Sequence, residues 1–596
     1  MLAYVVGRMV KFVRKFSKFF GPGFMIAVGY LDPGNWATDM EGGSQFGYRL
    51  LFIILLSNII AVFLQNLTIR LGVVSGFDLA SASRRYFPKY LNLFLYVLAE
   101  LAIIATDMAE VIGSAIALNL LIPQLPLPAG VAITAADVFI ILLFYSEDHT
   151  DPDAQTETAS LRVIRLFESF VMILVLAVGI CLSIILAYSD INPIDVVKGY
   201  EPTKEIFTDT ASLYVAIGII GATVMPHNLY LHGFIVQARC REWRAKRPQA
   251  ECIDDDNKQW VLNSVARKFT MDGYEKPEQQ QQGTTGETCV SMENTNTANV
   301  EKKRFDVDGL RKYLKSSLKD NLLFNFIDLV IALIFAFYVN SAILIVAASN
   351  FYYAPAGQQQ EVTDLFSAHD LLSRYLSPAA GVIFALALLC AGQSSTITAT
   401  LAGQVVMSGF LGMSTRPWVR RIVTRLVAII PALVAACIAG RSGLSQLLVG
   451  SQVALSVQLP FAVVPLVIFT SWKKVMKVDL VVDQSNKTVD RTTVTVSWVD
   501  KLFPRIPSWR PSWWQPTKQM ILPRLQLGEK SNENSPAAIK PDSSSSIATT
   551  SPVILNEMPE PLIYDNGWIT KIVAILISLL LIGLNGYLVV SSALGM

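Results

Sequence analysis

Asp32-Pro33-Gly34-Asn35 and Met225-Pro226-His227-Asn228 decide the reading of this chain, because each interrupts a long apolar segment with the same pattern, X-Pro-X-Asn. In lipid every backbone amide and carbonyl needs a partner, so an unwound stretch at membrane depth survives only where it is buried in protein or lines a cavity. Two apolar segments broken at matching places in two halves suggest a transport site, with the freed carbonyls as ligands. The first break carries a carboxylate and a carboxamide, the second a thioether and an imidazole. Together these make a metal-binding set.

The rest of the chain supplies the membrane. Of its 596 residues 52% are apolar and 16% charged, and the mean hydropathy is +0.44, too apolar for a soluble globular protein of this size. Crossing the hydrocarbon core takes about 20 apolar residues. Such windows fall near 22–46, 49–69, 91–119, 128–145, 166–188, 210–236, 322–348, 379–409, 422–440, 444–471 and 568–592, which predicts eleven spans. The first runs past signal-peptide length and no small-residue cleavage pattern follows it, so it is read as a span.

Lysine and arginine set the expected orientation. Arg8, Lys11, Arg14, Lys15 and Lys18 precede span one, Arg84, Arg85 and Lys89 follow span two, Arg239, Arg241, Arg244 and Arg247 follow span six, and Lys473, Lys474 and Lys477 follow span ten. All fall on one side. The N-terminus is therefore expected in the cytoplasm and the C-terminus outside or in a lumen. The net charge of +2 is absorbed by topology and implies no nucleic-acid partner; the bilayer is the expected surroundings.

Residues 1–20 form a basic segment, read as an amphipathic helix on the inner leaflet or as a juxtamembrane anchor, with an organelle transit peptide as the weaker third reading. Spans one to five (21–188) and six to ten (209–471) are expected to form two related halves. Two long stretches, 240–318 with its Gln-rich run at 279–282 and 473–565 with Ser543 to Ser546 and many prolines, read as disordered cytoplasmic loops. The last segment, 566–596, holds span eleven. Cys181, Cys390 and Cys437 lie in spans and Cys240, Cys252 and Cys289 in a cytoplasmic loop, so no structural disulfide is expected.

An ionised carboxylate at membrane depth costs several kcal/mol unless paired, which makes Asp32 a functional candidate with a cation as its partner. Asn35 adds a neutral oxygen, and the broken backbone near Ala222 can add a carbonyl. Met225 is soft and polarisable, favouring manganese, iron and later transition metals over calcium and magnesium; its bland reading is a core gap-filler. His227 and His232 are open to a proton-relay role, the alternative being buried structural histidines.

In span three Glu100 and Asp107 fall almost on one helical line, with Glu110 three residues beyond Asp107. Arg420 and Arg421, at the start of span nine, are candidate countercharges that would complete a polar path for protons. A static salt-bridge network is the competing reading. Gln452 in span ten is a further buried polar group.

These residues resemble the natural resistance-associated macrophage protein (Nramp) family of proton-coupled divalent metal transporters. The likeness includes Gly21-Pro22-Gly23, Asp32-Pro33-Gly34-Asn35, Ala105-Thr106-Asp107-Met108-Ala109-Glu110 and Gly221 to His232, and continues through Ala402-Gly403-Gln404 and Ser451-Gln452-Val453. It implies an all-α polytopic membrane protein with a LeuT-like inverted repeat of five plus five helices and an eleventh span. It also implies metal held by Asp32, Asn35, the Ala222 carbonyl and Met225, joined by Gln452 in some conformations, and a proton route through Asp32, His227, Asp107, Glu110, Arg420 and Arg421. The long insertions look like those of fungal members.

The expected function is a symporter that brings Mn2+ or Fe2+ inward with protons, at the plasma membrane or an endosomal or vacuolar membrane. No catalytic residue and no resident cofactor is expected, since the chain has no nucleotide loop, triad or zinc spacing. A sodium-coupled amino-acid carrier on the same fold would place small neutral residues at Asp32 and Met225. A metal sensor would need a folded soluble domain, and a magnesium or aluminium carrier would not need Met225. Oligomeric state is not legible.

Overall fold

The computed structural model describes Phe16 and residues 21–134, 157–245, 307–354, 364–412, 417–438, 440–478 and 561–594. Span one is two helices, α1 (Pro22–Ala27) and α2 (Pro33–Phe46), with a 3-10 turn over Val28–Tyr30 between them. The break is encoded locally. Asp32 is extended at the N-cap of α2 and Pro33 stands at N1, where its missing amide hydrogen costs nothing.

Span two is α3 (Leu51–Arg70), and a short helix α4 (Leu79–Tyr86) leads to span three, α5 (Lys89–Leu121). Helix resumes at 127–134, the start of span four; the remainder of that span lies outside the described residues. Span five is α6 (Glu157–Tyr188), followed by the short helices α7 (Pro193–Gly199) and α8 (Glu205–Thr208). Span six repeats the break: α9 (Thr210–Thr223) stops at Val224 and α10 (Pro226–Ala245) begins with proline at its first position.

The remaining spans are α11 (Val307–Ala347), α13 (Pro378–Leu411), α14 (Pro417–Ile438), α15 (Gly440–Ser471) and α16 (Trp568–Leu594), with α12 (Leu365–Tyr375) as a short connecting helix. The architecture is therefore the expected all-α membrane fold, with two halves each opened by a broken span and an eleventh helix after them. Helix α2 packs on α9, α5, α11 and α15. Both breaks thus lie in the centre of the bundle.

Two expected loops are shorter than the composition implied. Helix α10 continues to Ala245 and α11 begins at Val307, so both flanks of 240–318 are helical, and 246–306 lies outside the described residues. Polar helical turns projecting beyond the membrane carry no hydropathy signal. The 473–565 stretch is likewise tied at its ends, where β1 (Lys477–Val478) pairs antiparallel with β2 (Leu562–Ile563), and 479–560 lies outside the described residues. Arg70 fastens this strap by donating to the carbonyls of Tyr564 (3.1 Å) and Asp565 (3.2 Å). Apart from Phe16, the basic 1–20 segment also falls outside.

Glycines let the broken spans approach their neighbours. Gly21 adopts a positive φ of 134°, and the amides of Gly21 and Gly23 donate to the buried Asp328 carboxylate of α11 at 3.3 and 2.6 Å. At Gly221 a Cβ would overlap the Gln452 carbonyl and approach the Ser456 amide to 2.7 Å. Both are backbone atoms of α15, which cannot move aside as a side-chain tip can. Gly221→Ala is expected to cost about 1–3 kcal/mol, the usual penalty of overpacking, and to lower the unfolding temperature in detergent together with transport. A variant as stable as the parent would show that α9 and α15 can separate freely.

Candidate metal site

Asp32 is fully buried, and its carboxylate caps α2: Oδ1 accepts the Asn35 amide at 3.1 Å and Oδ2 the Gly34 amide at 3.2 Å. Helix N-termini favour negative charge, which partly offsets the cost of placing a carboxylate here. The Asn35 side chain joins the two breaks. Its Nδ2 donates to Asp32 Oδ1 at 2.5 Å and to the Ala222 carbonyl at 3.0 Å. The Ala222 oxygen is free to accept because α9 ends at Thr223 and the next residues leave the helix.

Three of the expected ligands therefore converge, with an amide hydrogen-bond donor standing between the two oxygens. Gln452 joins them: its side-chain amide lies against Gly34, where no Cβ could fit, and its Oε1 is buried without a partner. Asp32, Asn35, Ala222, Met225 and Gln452 are all fully buried. Met225 lies in the second break, packed with Ala102 of α5 and Leu455 of α15. Among the described residues no three His, Cys, Asp or Glu side chains converge; what the two breaks gather is one carboxylate, side-chain amides and a backbone carbonyl, with the Met225 thioether in the second break.

Of the expected proton path, His227 and Glu110 each meet a hydroxyl that was not among the expected members. His227 Nδ1 lies 3.3 Å from Thr106 Oγ1, which sets the imidazole against span three at the residue before Asp107 in the chain, and its Nε2 is buried without a partner. Glu110, fully buried, accepts a 2.5 Å hydrogen bond from the Ser395 hydroxyl of α13. Asp107 is buried, and Glu100, nearer the start of α5, is half-buried. The side chains of Arg420 and Arg421 lie outside the described residues. His232 sits elsewhere: its Nδ1 meets Gln65 Oε1 at 2.9 Å, and Gln65 donates to the Tyr30 hydroxyl at 3.1 Å, a chain that ties spans six, two and one together.

Sequence reasoning passed over Asn340, whose Nδ2 donates to Asn35 Oδ1 at 3.3 Å from α11, and Thr106, Ser395 and Gln65. A polar side chain inside an apolar span was the available signal.

A profile of the Natural resistance-associated macrophage protein-like family matches residues 23–257 and 297–499. The chain belongs to the Nramp family. It is 42% identical over 476 residues to the manganese transporter SMF1 of Saccharomyces cerevisiae, covering 79% of this chain and 74% of that one. Against the divalent metal cation transporter MntH of a Nostoc species it is 42% identical over 466 residues, covering 78% and 85%. The crystal structure of the Eremococcus coleocola manganese transporter, in complex with an aromatic bis-isothiourea substituted compound, superposes with a TM-score of 0.57 at 29% identity, covering 82% of this chain and 84% of that one. As an Nramp protein the chain is a multi-pass membrane protein whose relatives are transporters rather than enzymes.

Proposed function

We propose that this Nramp protein carries divalent transition metals, Mn2+ and Fe2+, toward the cytoplasm in symport with protons. Metal transport is what the names of the yeast and cyanobacterial relatives state for those proteins. The observation that carries the reading is the meeting of Asp32 Oδ1 and the Ala222 carbonyl on one Asn35 amide, between the two breaks. Turning that amide by half a rotation exchanges Nδ2 for Oδ1 and leaves three oxygens around one point. Asn340 can follow, since its own Oδ1 is buried without a partner and would accept the displaced Asn35 Nδ2. The supporting amide therefore serves both the empty and the loaded site.

A divalent ion at Asp32 needs the ionised carboxylate, so any proton held there leaves as metal arrives. His227 is the next basic group, facing span three through Thr106, with Asp107 and Glu110 beyond it. In this reading Arg420 and Arg421 lie at the cytoplasmic end, the N-terminus is cytoplasmic, the C-terminus outside or lumenal, and the membrane is the plasma membrane or an endosomal or vacuolar one. Residues 21–188 and 209–471 form the two repeats.

The deciding experiment is uptake of Mn2+, Fe2+, Ca2+ and Mg2+ into proteoliposomes with and without an inward proton gradient. Faster Mn2+ and Fe2+ uptake with the gradient supports the reading, and gradient-independent uptake removes the proton. Asp107→Asn and Glu110→Gln are expected to flatten the dependence of uptake on external pH while leaving Mn2+ binding by calorimetry within about twofold, a difference worth under half a kcal/mol. Lost binding with an unchanged pH profile would put these acids in the metal site instead.

A further inference from the structure

Asp39 is a carboxylate the mechanism above does not use. It stands on α2, one helical turn beyond Asn35 and two beyond Asp32, so the three form a single polar stripe. It is 0% exposed, and neither of its oxygens has a hydrogen-bond partner. Asp32 and Asp39 also repel one another. A buried acidic group with no donor and a like charge nearby is a costly arrangement at membrane depth, and such groups persist where function supplies the missing partner.

The neighbouring helix indicates what that partner is. Helices α2 and α11 run side by side in one direction, for Asn35 meets Asn340 and, further along both, a Cβ at Gly43 would meet the Ala347 side chain at 2.7 Å. Asp39 thus lies level with the turn of α11 that follows Asn340. Asn340 Oδ1 is buried without a partner too. The unsatisfied atoms along this seam are mainly acceptors, two carboxylate oxygens and one amide oxygen, beside the Ser341 hydroxyl, which can accept as well as donate. The indole of Trp36, an unpaired donor on the same helix, packs edge-on against Phe384 of α13, ring centroids 5.3 Å apart. Acceptors in need of a positive partner, all oxygen and no sulfur, suit a hard or borderline divalent cation that still carries water.

We propose that Asp39, with the Asn340 side-chain oxygen Oδ1 one turn away, forms a second cation position between Asp32 and the membrane face at which α2 ends. That end meets Tyr353, stacked on Tyr48 with ring centroids 4.9 Å apart, and the Arg49–Glu205 ion pair, the side opposite the basic loops. A cation arriving from there meets Asp39 two helical turns before Asp32. The position holds metal weakly and passes it on, whereas Asp32 with Met225 holds it tightly.

The proposal rests on the transport reading, and the test separates the two. The full-length chain in detergent is titrated with Mn2+ alone, followed by calorimetry and by the electron paramagnetic resonance of the free ion. The parent is expected to bind Mn2+ in two classes. Asp32→Ala removes the tight class and keeps the weak one, and Asp32→Ala with Asp39→Asn loses both. Reconstituted Asp39→Asn, nearly the same shape as the parent, is expected to raise the KM for Mn2+ about tenfold, equal to roughly 1.4 kcal/mol, with kcat within about twofold; Asp39→Glu restores the parent KM. Absence of residual Mn2+ binding in Asp32→Ala overturns the second position without touching residue 39, so a misfolded Asp39 variant does not decide the matter. A KM raised equally by Asn and Glu, or a change confined to the external-pH profile, also overturns it, the latter making Asp39 a proton acceptor. Parent-like tight binding in Asp32→Ala would instead sink the site at Asp32.

Discussion

Asp32→Ala is expected to reduce Mn2+ uptake to background. The carboxylate is the only charged group among the proposed ligands, and the amides, carbonyl and thioether that remain cannot neutralise a dication at membrane depth. The same side chain caps α2 through the Gly34 and Asn35 amides, so alanine also costs about 1 kcal/mol of helix stability, the usual value of an N-cap. Asp32→Asn separates the two effects, because an asparagine oxygen still caps the helix but carries no charge and takes no proton. Both variants should lose uptake while only alanine lowers the unfolding temperature. Asparagine transporting at the parent rate would refute the site.

Replacement of Met225 should change selectivity more than activity. The sulfur favours Mn2+ and later metals over Ca2+, which gains nothing from it, so the Ca2+:Mn2+ ratio needed to halve uptake is expected to fall, by about tenfold if the soft ligand is worth roughly 1.4 kcal/mol. Because Met225 is fully buried between Ala102 and Leu455, alanine also opens a cavity and destabilises the fold by about 2–5 kcal/mol. Met225→Leu keeps the volume at a cost under about 1.5 kcal/mol and removes only the sulfur. Equal loss of selectivity in both variants assigns it to chemistry. A leucine variant that discriminates like the parent reduces Met225 to packing, and the metal preference then needs another source.

The reach of sequence reasoning is clearest at Asp32. Its place at an N-cap followed by proline is a local property, so both the helix start and the carboxylate offered at it could be read from four residues. Ala222 was legible in the same way, as a carbonyl just before a helix end. Asn340 and Ser395 were not, since each is an ordinary polar residue in an apolar span until a partner 285 or more positions away is brought to it. His232 shows the converse: it is a second buried histidine in the same span and was open to the same role, yet His227 faces Thr106 and His232 faces Gln65.

What the amino-acid sequence by itself determined is the membrane class, the order of the spans, the two breaks and the chemistry offered at each. Hydropathy, proline geometry and capping act over a few residues and need no knowledge of neighbours. Only the tertiary structure decided which of those groups meet. The contact of Asn35 with Ala222, the approach of Gln452 to Gly34, the anchoring of Gly23 on Asp328 and the isolation of Asp39 all depend on how helices far apart in the chain are rotated and pressed together. A rotation of one helix by a single residue, about 100°, would exchange every one of these partners while leaving its hydropathy unchanged.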